Sequence, residues 1–247
     1  MAIVHVSTVE LGGTASTAAL TSVTKSAGDT LVCKVATRGS GTTITSVVWD
    51  AAGVNEAFTL VDTDINSNAR AGLYVLSDSA GTDKTATVTV TMSASNRNVC
   101  AVSVYSGADG TTPFEAATTS KANGTNNNPT TSVTATSGDM LVDAMAQVSA
   151  GPDTISSQSG TSRSNSTSTG GGADTRGASQ ELAATGGSDA MSYTMSSTDN
   201  WAIVATALLQ APTDIIASPP AGSIAYTGAV PTATPSDHQT ASPPAGS

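Results

Sequence analysis

The chain reads as all-β: a jelly-roll-like antiparallel β-sandwich built from two pseudo-repeated halves over residues 1–211, followed by an extended Pro-rich tail over residues 212–247. Three observations carry this reading. First, Ala27-Gly-Asp-Thr-Leu-Val-Cys-Lys-Val-Ala36 recurs as Ser137-Gly-Asp-Met-Leu-Val-Asp-Ala-Met-Ala146, 110 residues on (138 − 28). Each copy opens with Gly-Asp, a turn signal, and runs into apolar residues, a strand signal. Second, Thr85-Ala-Thr-Val-Thr-Val-Thr-Met92 alternates with period two, which requires a sheet with one buried and one wet face. Third, seven of the ten prolines fall between Pro212 and Pro244, where Ala217-Ser-Pro-Pro-Ala-Gly-Ser223 repeats as Ala241-Ser-Pro-Pro-Ala-Gly-Ser247. Paired prolines favour extended polyproline II rather than a packed core.

Taken in order, residues 1–11 alternate well enough for an opening strand, and Gly12-Gly13 is expected to break it. Leu20–Thr24 makes a second short strand, leading into the Gly28-Asp29 turn and the first repeated strand. Ile44–Trp49, Phe58–Val61 and Ala71–Leu76 follow, with Trp49 the expected large anchor. After the strand at Thr85–Met92, Asn96-Arg-Asn98 is expected to turn the chain into Val99–Tyr105, closing a first half of about residues 14–106. Residues 107–129 read as irregular.

The second half, about 124–211, retraces the first. Thr131-Ser-Val-Thr134 matches Thr21-Ser-Val-Thr24 at a separation of 110, Arg176 matches Arg70 at 106, and Thr194-Met-Ser matches Thr91-Met-Ser at 103. The order is kept and the offset shrinks, as loop deletions produce. Met191, Tyr193 and Met195 then occupy the places of Val88, Val90 and Met92, and Asn200–Leu208 becomes the closing strand. Residues 151–172 read as a long loop with at most one weak strand near Ser162–Ser168. One core shared by both halves is expected; two separate sandwiches are the alternative, since halves of this size can fold alone.

Composition narrows the function classes. The net charge is −10, with nine scattered Lys and Arg, which argues against nucleic acid and anionic membranes as partners. No apolar run approaches the eighteen or so residues that span a bilayer, and Met-Ala-Ile-Val-His-Val lacks the features of a signal peptide. Aromatic content is 3%, so the core must be built from Val, Ala, Leu, Ile and Met. Cys33 and Cys100 alternate with apolar neighbours and so face the core; free buried thiols are the first reading, one disulfide the second.

No constellation carries recognisable chemistry, so no catalytic residue, metal ligand or cofactor is assigned. Asp62-Thr-Asp-Ile-Asn-Ser-Asn68 spaces oxygen ligands as a calcium loop begins, but it lacks the central Gly and the closing bidentate Glu. A strand with a polar outer face gives the same spacing. His5 and His238 have no partner at metal-ligand spacing, and no Gly-x-Ser-x-Gly elbow exists. Trp49, Tyr74, Tyr105 and Trp201 form either a sugar-stacking platform or, as aromatics on alternating strands usually do, part of the core.

The succession Gly-Asp-x-Leu-Val, an Arg-containing strand, Thr-Val-Thr-Met-Ser and a closing apolar strand, then a second round ending Asn200-Trp-Ala-Ile-Val-Ala-Thr-Ala-Leu208, resembles a β-sandwich family of tailed-phage virion proteins and some bacterial surface proteins. The tail Pro219-Pro-Ala-Gly-Ser-Ile-Ala-Tyr-Thr-Gly-Ala-Val-Pro-Thr232 resembles the Pro/Gly repeats that follow such domains. The resemblance covers about residues 17–235 and implies capsid decoration or a fibre, hence a virion-surface location after synthesis in the host cytoplasm. The expected function is that of a non-enzymatic structural protein, homo-oligomeric and bound to a capsid or tail lattice. A carbohydrate-binding adhesin is the alternative, which leaves a glycan partner open. The tail is expected to act as an assembly arm, with Ile215, Ile216, Pro219, Pro220, Ile224, Tyr226, Val230 and Pro231 as its contact residues. Pre-extended proline segments lose less entropy on binding, which favours this use.

Overall fold

The two Gly-Asp stretches fold alike, and for the same reason. Gly28 and Gly138 take φ of +83° and +106°, in the left-handed region that favours glycine. The neighbouring carboxylates then close the turns. Asp29 accepts from the Ser26 backbone N–H at 2.8 Å, and Asp139 from that of Thr136 at 3.1 Å. Each turn launches a strand that is buried along nearly its whole length.

The computed structural model describes residues 1–50, 52–77, 83–151, 153–170 and 173–212. Met1–Thr213 is one compact unit by itself; the second unit, Asp214–Ser247, lies outside the described residues, and the eight arm residues lie outside them with it. The first half comprises β1 (Val4–Lys25), β2 (Thr30–Arg38), β3 (Ile44–Trp49), β4 (Glu56–Ala57), β5 (Thr59–Asn66), β6 (Ala69–Ser77) and β7 (Lys84–Ser106). A 3-10 turn at Ala116–Thr118 follows. The second half comprises β8 (Ser120–Gly124), β9 (Thr130–Thr134), β10 (Met140–Ser149), β11 (Ile155–Gln158), β12 (Thr161–Ser168), β13 (Asp174–Ala183), β14 (Ser188–Met195) and β15 (Asn200–Leu208). Every named ladder is antiparallel, so the fold class is the one the sequence indicates.

The strands stack in layers. β5, β6, β2, the C-terminal part of β7 and the N-terminal part of β1 form one inner layer. β8, β15, β10, β13 and β12 form the facing one. They pack back to back, with β2 over β10, β6 over β15, β7 over β13, β1 over β12 and β5 over β8. Between them lie Val32, Ala36, Leu73, Val99 and Tyr105 from the first half, and Val142, Ala144, Ala146, Ala202 and Val204 from the second. The outer layers close on the opposite faces. β3 with the remaining parts of β7 and β1 covers Leu31, Cys33, Val35, Cys100 and Val102. β9, β14 and β11 cover Leu141, Met145, Trp201 and Ile203. Small residues permit the close back-to-back approach. A Cβ on Gly177 would meet Val99 Cβ at 2.6 Å and Ala36 Cβ at 3.1 Å. Burial on both faces explains why β2, β10 and β15 read as near-continuous apolar runs rather than alternating ones. Each fully buried Val, Leu or Ile there contributes roughly 1.5–3 kcal/mol.

Several expectations need correction. Gly12-Gly13 does not break β1, and Asn96-Arg-Asn98 does not turn β7. The two sites face one another across the ladder, Gly12 opposite Val99 and Ala15 opposite Asn96, with a register shift between Ala15 and Thr17. The strand pair bends as a unit and passes from the inner to the outer layer without losing its partner. Asn98 donates to the carbonyls of Ala15 and Asn96 at the bend, at 3.1 and 3.0 Å. In the second half the same path is cut into separate strands, β8 and β9 in place of β1, β14 and β15 in place of β7. Residues 107–129 contain β8, and residues 151–172 contain two strands, β11 and β12. β12 carries little apolar surface because it is an outer strand held by hydroxyls, such as Ser164 Oγ to Ser179 Oγ at 2.7 Å. The single shared core is also corrected. Each half encloses its own core, a third core joins them, and no ladder among the described residues runs between the halves.

Candidate functional site

Two features stand out: a long unpaired strand edge, and a cluster of charged groups buried between the halves. β1 pairs with β7 alone among the described residues, so its second edge carries no ladder, although Ser168 Oγ of β12 donates to the Gly13 carbonyl at 2.6 Å. Val4 and Val6 are each 54% exposed and Leu11 39%. Within Val4–Gly13 the ionisable residues are His5 and Glu10, and there is no Pro, Lys or Arg. Natural proteins guard such edges with those residues, because free N–H and C=O groups template another strand. The opposite edge, β5, is guarded. Asp62 and Asp64 lie on it and are engaged by Lys121 at 2.9 Å and Asn123 at 3.1 Å, with a bulge between Leu60 and Asp62. This is the strand reading of Asp62–Asn68, its polar face turned onto the second half.

The buried cluster begins at Lys34. Its side chain lies in the layer between the halves, 3% exposed, and donates to Ser103 Oγ at 2.5 Å. Ser103 joins Thr8 at 2.8 Å, and Thr8 joins His5 Nε2 at 2.8 Å. The Lys34 ammonium lies 5.9 Å from the Tyr105 ring centroid, and His5 meets the same ring edge-on. From the second half Arg163 donates to Glu181. On the far face of β10, Asp143 accepts from the Gln180 N–H at 2.9 Å, from Gln180 Nε2 at 3.2 Å and from Tyr193 OH at 2.8 Å.

Burial perturbs Lys34, Asp143 and His5. It pulls Lys34 down to about 8, against the attraction of Asp143 and Glu181. It pushes Asp143 up to about 6, although the bonds from Gln180 and Tyr193 favour the carboxylate. His5 is lowered by burial and by Arg163, while Arg163 is raised by its bond to Glu181. A Lys beside a Ser superficially suggests an activated nucleophile. Here Ser103 is fully buried and Lys34 keeps its proton at neutral pH, so the pair has neither a substrate path nor a free base. The hydrogen bonds of the cluster each stay within one half, His5, Thr8, Lys34 and Ser103 in the first and Asp143, Arg163, Gln180, Glu181 and Tyr193 in the second.

The remaining sequence candidates take structural places. Cys33 and Cys100 are free and buried, and burial raises both thiols, Cys100 to about 12. They sit diagonally on β2 and β7, Cys33 opposite Val102 and Val35 opposite Cys100. Trp49, Tyr74, Tyr105 and Trp201 are all core, so they offer no sugar-stacking platform. Lys25 lies 4.1 Å over the Trp49 ring. Asp153 is saturated by Gln147, Ser196 and Ser197 side chains, in a depression of about 340 Å³ that Asp199 also lines. His238 lies outside the described residues, and no group of three or more His, Cys, Asp or Glu able to hold a metal occurs among those described.

Sequence reasoning missed the buried cluster, though a signal existed. Lys34 and Asp143 each interrupt an otherwise apolar strand, one in each copy of the repeat. No family model matches the chain, and neither a curated protein nor a solved structure matches it.

Proposed function

We propose that the chain is a non-enzymatic structural protein of a phage particle, decorating or projecting from the capsid or tail surface through protein–protein contacts. The observation that carries this reading is the unladdered edge of β1 over Val4–Leu11, apolar at Val4, Val6 and Leu11. A two-sandwich body with an unguarded strand edge suits attachment to other protein. Its outer faces are rows of small hydroxyls, Thr85, Thr87, Thr89 and Thr91 on β7 and Ser188, Ser192 and Thr194 on β14, with little charge to repel a neighbour. The burial of Trp49 and Trp201 counts against the adhesin alternative. Quantitative mass spectrometry of purified particles tests the reading. The expected result is hundreds of copies per particle, with capsid stability restored when the protein is added back to particles lacking it. Absence from particles, or a few copies that bind glycan, overturns it.

A further inference from the structure

We propose that the open edge of β1 is a homotypic docking site, where the same strand of a second copy adds antiparallel about a two-fold axis. The proposal concerns the same edge that carries the particle reading above: it takes the protein at that edge to be a second copy, and its test on the isolated chain is separate from the test on particles.

The sequence of the strand itself points to a second copy. Val4-His-Val-Ser-Thr-Val-Glu-Leu11 is palindromic in character: apolar, ionisable, apolar, hydroxyl, hydroxyl, apolar, ionisable, apolar. Turned end for end against itself, it brings Val4 to Leu11 of the second copy, and His5 to Glu10 of the second copy. Opposite pairs of this kind are the unit of sheet stabilisation. A two-fold contact of one patch with itself is also the commonest route to a homodimer.

Facing must agree as well as order, because cross-strand partners share a face. The ladder with β7 fixes the faces. Val4, Ser7, Val9 and Leu11 lie opposite Ser106, Val104, Val102 and Cys100, on the side of the first-half core. His5, Thr8 and Glu10 lie opposite Tyr105, Ser103 and Ala101, on the side of the second half. A regular strand cannot satisfy both the His5–Glu10 pairing and a two-fold centre on Thr8. β1 is not regular: the register shifts between His5 and Ser7, with Val6 as the extra residue. A bulge sets two residues against one. With Thr8 on the axis, Val6 and Ser7 together face Val9 of the second copy. His5 then meets Glu10, and Val4 meets Leu11, each pair on one face. The bulge thus supplies the residue that makes the edge self-complementary.

Charge does not oppose this occupant. The body is acidic overall, yet Val4–Leu11 carries one carboxylate, and this register places it against a histidine rather than against its own copy. Beneath β1, β12 consists of Ser, Thr and Asn apart from Arg163, which is turned onto Glu181.

Sedimentation velocity of the full chain over a range of concentrations tests the proposal. A reversible dimer is expected. Val6→Lys should raise its dissociation constant by at least about tenfold, because a lysine guards an edge against pairing. Its thermal melt should stay unchanged, since Val6 is 54% exposed. His5→Glu and Glu10→Lys should each weaken the dimer, and the double variant should restore it. A chain that remains monomeric, or a dimer indifferent to Val6→Lys, overturns the proposal. A dimer weakened by Val6→Lys but not restored by the charge exchange overturns the register.

Discussion

Replacing Lys34 by Met should stabilise the protein at neutral pH. Lys34 is a cation fixed between two sheets, and its burial brings it from an ordinary 10.5 to about 8. At 1.36 kcal/mol per pH unit, keeping it charged costs the fold about 3 kcal/mol at pH 7. Met has a similar length and leaves no polar atom to satisfy. The substitution loses the bond to Ser103, a cost of about 1 kcal/mol, but Ser103 keeps Thr8 as a partner. The net gain at pH 7 is therefore about 2 kcal/mol. Replacing a buried charge by a well-packed apolar residue commonly has this sign. The pH dependence follows from the lowered value. Below about 8 the lysine is protonated in both states and the penalty is whole. Between about 8 and 10.5 the folded protein has released the proton while the unfolded chain retains it, so the penalty fades with rising pH. Taking the difference between variant and parent removes the opposing titration of the buried thiols and tyrosines. Urea unfolding at pH 7, 8, 9 and 10 measures it. A variant less stable than the parent at pH 7, or a difference that does not shrink above pH 8, would refute the reasoning.

Asp143→Asn should become more favourable relative to the parent by about 2 kcal/mol between pH 4 and pH 7, because the parent must ionise a buried carboxyl held up near 6; urea titrations at both pH values check it. Gly177→Ala should cost about 1–3 kcal/mol, seen as a melting point several degrees lower, because its methyl would enter the space of Val99 and Ala36 between the halves. Cys33 and Cys100 should react with a thiol reagent only as fast as the protein unfolds, since both are buried with raised values; rapid modification of the native protein would contradict that burial.

Much of the fold was legible because its signals are local. The Gly28-Asp29 and Gly138-Asp139 turns, the alternation of Thr85–Met92 and the apolar runs of β2, β10 and β15 each follow from backbone rules acting within a few residues. What failed was non-local. Gly12-Gly13 reads as a break until Asn96–Asn98 is known to lie across from it, and only then do two weak points become one bend. The three cores failed for a related reason. Val32 and Cys33 look equally apolar in the sequence, and only the layering decides that one faces the second half and the other its own sandwich. The candidate edge was half visible. Alternation marked residues 1–11 as a strand, but pairing on one side alone is a property of the whole sheet. The same limit hid Lys34 and Asp143, whose partners lie more than 30 residues away.

Cryo-electron microscopy of purified particles tests the central claim most directly. The account expects the two-sandwich body at regular positions on the capsid or tail surface, with the β1 edge buried against protein. Particles whose surface carries no such density, or bodies whose β1 edge faces solvent while another surface makes every contact, would contradict it.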